Sequence, residues 1–352
     1  MRDMKKMILM VMMLCAAARA EAQWWKVQTN GLDTNLRAVS VAREQDSKGG
    51  VALTVWASGS NGVVLKSVDE GQTWARLHVE GGDALDFRGI AAISAKVAYA
   101  MSSGEGEKST IYKTTDGGQT WTLQYTDKRT AFFLDSIACV SEKECIALGD
   151  PLDRKFLLLK AADGEHWNPL PTGNMPVALG SEGAFAASNS CIALSGDKEI
   201  FFGTGGPAAR VFHSADGGVT WSVARTVVLQ GNPSSGIFAL GTDGSGHVVA
   251  TGGDYKEAMN AEQAAAYSAD SGKTWQLAEK QPSGFRSGVA HVEDGLWVAV
   301  GPTGEEISTD NGVHWKHTDS LSLNAVTILD AQNGWAVGAK GTIARFVNHN
   351  QK

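Results

Sequence analysis

Proline and cysteine are scarce in this chain. Eight prolines and four cysteines in 352 residues exclude a proline-rich linker protein and a disulfide-dense scaffold. Beyond the N-terminal stretch no apolar run reaches the roughly 18 residues of a membrane-spanning helix, so no membrane insertion is expected. The histidines and cysteines show no His-x-x-x-His or Cys-x-x-Cys spacing, and His314 and His317 merely flank a tryptophan. Neither a metal site nor a cofactor is therefore expected. A Gly-x-Ser-x-Gly elbow is missing as well, which leaves acyl transfer without a nucleophile. Basic residues are in deficit, 31 Lys and Arg against 38 Asp and Glu, so nucleic acid is a poor partner.

What is abundant is glycine, 41 residues, which favours many tight turns between short strands. Gly241-Thr-Asp-Gly244-Ser-Gly246 and Gly203-Thr-Gly205-Gly206 lack the strand-to-helix context of a phosphate loop and read as turns.

Residues 1–20 have the layout of a signal peptide. Arg2, Lys5 and Lys6 precede the apolar run Met7 to Ala18, and Ala18-Arg19-Ala20 and Ala20-Glu21-Ala22 are small-x-small cleavage sites. Cleavage near Ala20 or Ala22 would deliver a secreted or periplasmic protein. Met12-Met13-Leu14 before Cys15 is a poor lipobox, since a small residue should precede the cysteine. In an oxidising compartment Cys139 and Cys145, six apart around a polar turn, are a possible disulfide, and Cys191 is left as a buried small hydrophobe.

Internal repetition dominates the remainder. Ser67-Val-Asp69-Glu-Gly71-Gln-Thr73-Trp74 recurs around Asp116 and Trp121, Asp216 and Trp221, and Asp270 and Trp275. A fifth copy, around Asp310 and Trp315, has His314 in place of Thr. A sixth, around Asp163 and Trp167, is one residue short. In each copy the Asp side chain accepts from backbone N–H groups ahead of it, Gly supplies a positive φ, and Trp opens the outgoing strand. Six carboxylates repeated at turns read as fasteners, so no catalytic residue is assigned to them.

Successive tryptophans stand 47, 46, 54, 54 and 40 residues apart, the length of a four-stranded propeller blade. The last unit, Trp335 to Phe346, lacks a box and a fourth strand, while Trp24-Trp25-Lys-Val-Gln28 matches the strand that follows a box. The fold expected is all-β: one seven-bladed β-propeller over residues 21–352, monomeric, its last blade closed by the N-terminal strand. Whether the degenerate third unit forms a full blade is open at this stage.

The boxes resemble the bacterial-neuraminidase (Asp-box) repeats of sialidases and sortilin-type receptors. With Gly334-Trp-Ala-Val-Gly338-Ala-Lys-Gly341-Thr-Ile343, the chain more closely resembles the photosystem II stability/assembly-factor family and its non-photosynthetic bacterial relatives. That resemblance implies seven blades and a non-enzymatic role in assembly. It is specific for fold and weak for function.

The repeat register nominates residues for the channel mouth. First strands, innermost in a propeller, place Arg37, Arg88, Asp135, Ser235, Arg286 and Asn324 there, with Gly183 beside Glu182 in unit four. Loops after the second strands add Asp150, Asp197, Asp254 and Tyr255. A protein or glycan partner would bind at this mouth, or the charges would simply neutralise one another along a wet channel. Two functions are carried forward: a non-catalytic secreted binding or assembly scaffold, and a sialidase-type glycoside hydrolase acting on acidic glycans. The hydrolase would use three arginines on a carboxylate, Tyr255 as nucleophile, and Asp135 or Glu182 as acid.

Overall fold

The computed structural model describes residues 24–29, 31–45 and 48–348. The signal-peptide segment, its cleavage sites and Cys15 lie outside them. Among the described residues twenty-nine strands form seven sheets, and the chain is a seven-bladed β-propeller. Blade I comprises Leu36–Gln45, Val51–Gly59, Val64–Ser67 and Ala75–Leu77. Blade II runs from Phe87–Ala92 to Thr122–Thr126, and blade III from Leu134–Cys139 to Trp167–Pro169. Blade IV holds Ile192–Ser195, Glu199–Gly203, Arg210–Ser214 and Ser222–Arg225. Blade V starts with Asn232–Thr242 and carries Gly205–Gly206 as an added inner strand. Blade VI starts with Gly288–Glu293. In blade VII, Ala325–Asp330, Asn333–Val337 and Ile343–Phe346 are completed by Trp25–Thr29, which pairs antiparallel with Ile343–Phe346. The short box of unit three still closes a complete four-stranded blade.

Each blade is covered on both faces by its neighbours, so the second strands read as continuous apolar runs rather than alternating ones. Val55-Trp56-Ala57 is wholly buried. Seven apolar clusters among the described residues lie one between each pair of adjacent blades. The glycine that ends the second strand has a packing reason: a Cβ on Gly59 or Gly338 would collide with the carbonyl of Asn35 or Ser322 on the neighbouring strand entry. Cys139 and Cys145 face each other across the first hairpin of blade III and are disulfide-bonded. Cys191 is buried and free, and burial pushes its thiol up. No helix among the described residues is long and apolar enough to cross a membrane.

Blade IV departs from the expected repeat. Ile192–Ser195, which the placing of Asp197 after a second strand makes a second strand, is the first strand of the blade. The residues before it, 184–190, cross the central channel instead of forming a strand. Ala186 O accepts from Arg88 of blade II at 2.9 Å, and Ser188 Oγ donates to Ser287 O ahead of blade VI. Asn189 Oδ1 accepts from Ile137 N–H of blade III at 2.8 Å, while its Nδ2 donates to Ile90 O and Ile137 O. This segment is a plug that floors the mouth, a feature absent from both sequence readings of that mouth, the binding site and the wet channel.

Candidate functional site

The box face is chemically saturated. In blade I, Asp69 Oδ1 accepts from Ser67 Oγ at 2.7 Å and from Thr73 N–H at 2.9 Å, and Oδ2 accepts from Thr73 Oγ1 at 2.6 Å. The same three contacts recur at Asp116, Asp216 and Asp270. These bonds hold Asp69, Asp116, Asp216 and Asp270 at about 2, with the threonine hydroxyl the largest influence. His314 and His166 take over the threonine's role at Asp310 and Asp163. The box tryptophans split into two groups: Trp167, Trp221 and Trp315 are buried, whereas Trp74, Trp121 and Trp275 are half-buried.

At the opposite mouth a single device repeats. In the first strand one paired residue in blades I, II and III, and three in blade V, precede a one-residue bulge, after which the regular ladder resumes. The paired residues Leu36, Phe87, Leu134 and Ile237 are buried. The bulged residues are Arg37, Arg88, Asp135 and Phe238, and all four line the mouth. Asn324 stands at the matching place in blade VII and Ser287 in blade VI.

This register corrects three placements. In blade V the mouth residue is Phe238, and Ser235 is buried three residues earlier, because the strand is lengthened to pair with Gly205–Gly206. In blade VI, Arg286 takes the buried place of Leu36 and Leu323: its N–H donates to Gly252 O of the preceding blade, as theirs donate to Gly338 O and Gly301 O. Arg286 is wholly buried and paired with Glu306 at 2.6 Å, donates further to Ser283, Thr303 and Phe285 O, and keeps its Nε–H without a partner among the described residues. Asp197 lies in the first hairpin turn of blade IV, between Ser195 and Glu199 and beside Gly217 of the box, on the opposite face.

Arg37, Arg88, Asp135, Asp150, Tyr255 and Asn324 border one cavity of about 580 Å³. This cup has two unlike halves. On blades I to III, Asp86 bridges the arginines, 2.8 Å from Arg88 Nε and 3.6 Å from Arg37 Nε. Burial pulls Arg37 below its usual range, Asp86 opposing it and Arg88 adding to it. Asp135 is buried and neither of its carboxyl oxygens has a partner. Burial raises it well above the usual carboxylate range, and the neighbouring Asp150 adds to the shift. Asp150 is also raised by burial, against a 3.0 Å bond from Ala184 N–H. The adjoining wall therefore sets two acids whose surroundings favour the protonated form beside the guanidiniums of Arg37 and Arg88.

The other half is aromatic. Phe185 of the plug stacks on Phe238 at 3.8 Å, and Phe238 meets Phe285 edge-on at 4.7 Å and Tyr255 at 6.0 Å. Tyr255 is half exposed, and Met259, Val177 and Leu179 are exposed apolar side chains of other loop positions. Asp254 lies outside the cup wall: bonds from Lys256 N–H and Asn232 Nδ2 hold it below its usual range despite burial. Asn324 is engaged through its amide with Asn35 and Leu36. Glu182, a candidate acid, is buried and clamped by Arg210 and Thr204.

Sequence reasoning missed Asp86, Phe185, Phe238 and Phe285. Asp86 was legible as the acid directly before Phe87-Arg88. The aromatic arc was not, since Phe185 belongs to the plug. Among the described residues no group of three His, Cys, Asp or Glu side chains is placed to share a metal.

Sequence comparison matches no family and no curated protein. Structural comparison finds many similar chains. YCF48 bound to D1 peptide superposes with a TM-score of 0.65 at 15% identity, covering 92% of this chain and 97% of that one. YCF48 from Cyanidioschyzon merolae gives 0.64 at 16%, covering 92% and 98%. The GH74 xyloglucanase from Xanthomonas campestris gives 0.62 at 15%, covering 92% of this chain but 53% of that one. These likenesses concern the fold: the chain is a β-propeller of the kind found in YCF48 and in a glycoside hydrolase.

Proposed function

We propose that this protein is an exported, non-catalytic propeller that holds a segment of a client polypeptide in its cup, in the manner of an assembly factor. The observation that carries this reading is the division of the cup into a guanidinium wall and an aromatic wall. An extended peptide carries carboxylates and apolar side chains within a few residues of one another, so both walls are engaged at once. Arg37 and Arg88 would take a carboxylate, with charge-assisted bonds stronger than neutral ones. Phe185, Phe238 and Phe285 would take the apolar side chain, and the surface bearing Tyr255 and Met259 would extend the contact. A propeller of the same fold is known bound to a peptide, the D1 peptide on YCF48. The Cys139–Cys145 disulfide agrees with export to an oxidising compartment.

The sialidase-type alternative loses its parts. Arg286 is committed to Glu306 and Glu182 to Arg210, which leaves two arginines where a three-arginine clamp was envisaged.

The test is capture from envelope extracts of the native host, followed by a peptide array built on the captured protein. Arg37→Ala with Arg88→Ala is expected to abolish capture without lowering Tm, because both side chains are partly exposed at the cup. Capture undiminished by the double substitution would overturn the cup as the site. Export is checked separately: the protein recovered from the host envelope should begin at Glu21 or Gln23.

A further inference from the structure

Seven chain crossings link the outer strand of one blade to the inner strand of the next. Five bury an apolar side chain between the blades: Val79, Phe132, Met175, Val228 and Ala278 are each 2% exposed or less. In the sixth, Leu321 packs against the cluster of blades VI and VII. The seventh, from blade VII to blade I, differs. Its Leu32 is 42% exposed and stands outside the cluster between these blades. A cleft of about 440 Å³ opens there, on the outer side of the ring at the seam where the N-terminal strand closes it.

We propose that this seam cleft is a binding site for a neutral oligosaccharide, separate from the cup. Its volume falls in the range of about 300–1,000 Å³ common to small-molecule sites. The half-buried ring of Trp74 borders it, with the indole N–H spent internally on Gly71 O at 3.1 Å. What the ring offers a ligand is therefore apolar surface, against which the C–H face of a pyranose packs. Around it stand Asp33, Asn61, Gln72 and Arg76, all exposed and with no side-chain hydrogen bond among the described residues. Carboxylate, amide and guanidinium groups are donors and acceptors matched to sugar hydroxyls. The one acid and the one base offset each other, which favours an uncharged ligand over a sialoside or uronide. At five other seams the crossing buries an apolar residue of its own and at the sixth Leu321 packs against the cluster, whereas Leu32 at the closing seam stays exposed beside the cleft.

The experiment uses the full-length exported protein and three probes: cellotriose, maltotriose and triacetylchitotriose, each titrated by calorimetry and by tryptophan fluorescence. Saturable binding of at least one is expected. Loss of a charge-assisted hydrogen bond in Asp33→Ala or Arg76→Ala should weaken it about tenfold or more, with Tm unchanged since both residues are exposed. Leu32→Trp, which fills the cleft with the protein's own side chain, should abolish binding. Arg37→Ala with Arg88→Ala, which empties the cup, should leave it intact. No binding by any of the three sugars, or binding that survives Leu32→Trp, would overturn the proposal.

Discussion

The two faces of the ring treat the same residue in opposite ways. On the box face each aspartate is exposed or half-exposed yet well supplied with donors, and its acidity is strengthened to about 2 at four of the six boxes. At the cup, Asp135 is buried with no donor and Asp150 is half-buried with one, and both are pushed upward. A carboxylate that its own turn fully satisfies has no bonding capacity left for a ligand. One that the fold leaves unsatisfied sits where an outside group can complete it. The contrast separates fasteners from candidate site residues better than either exposure or motif does.

The sharpest way to break this comparison lies in blade VI. Arg286 has the local sequence of a cup residue, Phe-Arg as in Phe87-Arg88, but the surroundings of a core residue. Arg286→Met strands Glu306 without its cation in the interior, and removing one partner of a buried pair costs about 3–5 kcal/mol. Urea denaturation should report that loss, and Arg286→Met with Glu306→Leu should recover most of it. A loss below about 1 kcal/mol, the range of an exposed pair, would mean that Arg286 faces solvent after all.

Next in size is the box itself. Asp216→Ala removes the acceptor for Thr220 N–H, Thr220 Oγ1 and Ser214 Oγ together. It should lower Tm by a few degrees, and Asp216→Asn, which keeps one acceptor oxygen, should lower it less. The counterpart at the cup runs the other way. Asp135→Asn replaces a buried carboxyl that has no partner, so Tm should hold or rise. A drop as large as that of Asp216→Ala would show that Asp135 is a fastener too.

How much of this was legible follows from where the repeat keeps time. The boxes fix the third and fourth strands, and counting back from them finds Arg37, Arg88, Asp135 and Asn324 correctly. The count fails in three consecutive blades for physical reasons. Residues 184–190 leave the sheet to plug the channel, which made Ile192-Ala-Leu-Ser look like a second strand and sent Asp197 to the wrong face. The lengthened first strand of blade V moved the mouth position from Ser235 to Phe238. An extra residue before Gly288 dropped Arg286 into the core. One sequence signal for that last error was available: Glu305-Glu306 in a central strand needs a buried cation nearby. The plug had none, because its bonds join residues about a hundred positions apart.

The smallest effect is also the most direct reading of the two faces, since it needs only pH. A box aspartate is depressed from about 4 to about 2, so its stabilising contribution is complete above pH 4 and is lost as pH falls toward 2. Asp135 and Asp150 are raised, so their contribution is complete below pH 4 and is lost as pH climbs. Glu305, buried beside Asp319 and pushed up to about 8, acts in the same sense between its usual 4.5 and 8. The two faces therefore pull stability down from opposite ends, and Tm should peak in mildly acidic buffer, near pH 4 to 5. Each limb has its own origin, which makes the curve separable. Asp216→Ala should blunt the acid limb alone. Glu305→Gln, and to a lesser degree Asp135→Asn, should flatten the alkaline limb alone. A Tm that rises steadily to neutral pH in the wild-type protein would mean that the cup acids are ionised and solvated. The cup would then differ from the box face in sequence only, and the guanidinium wall would be held by ordinary ion pairs.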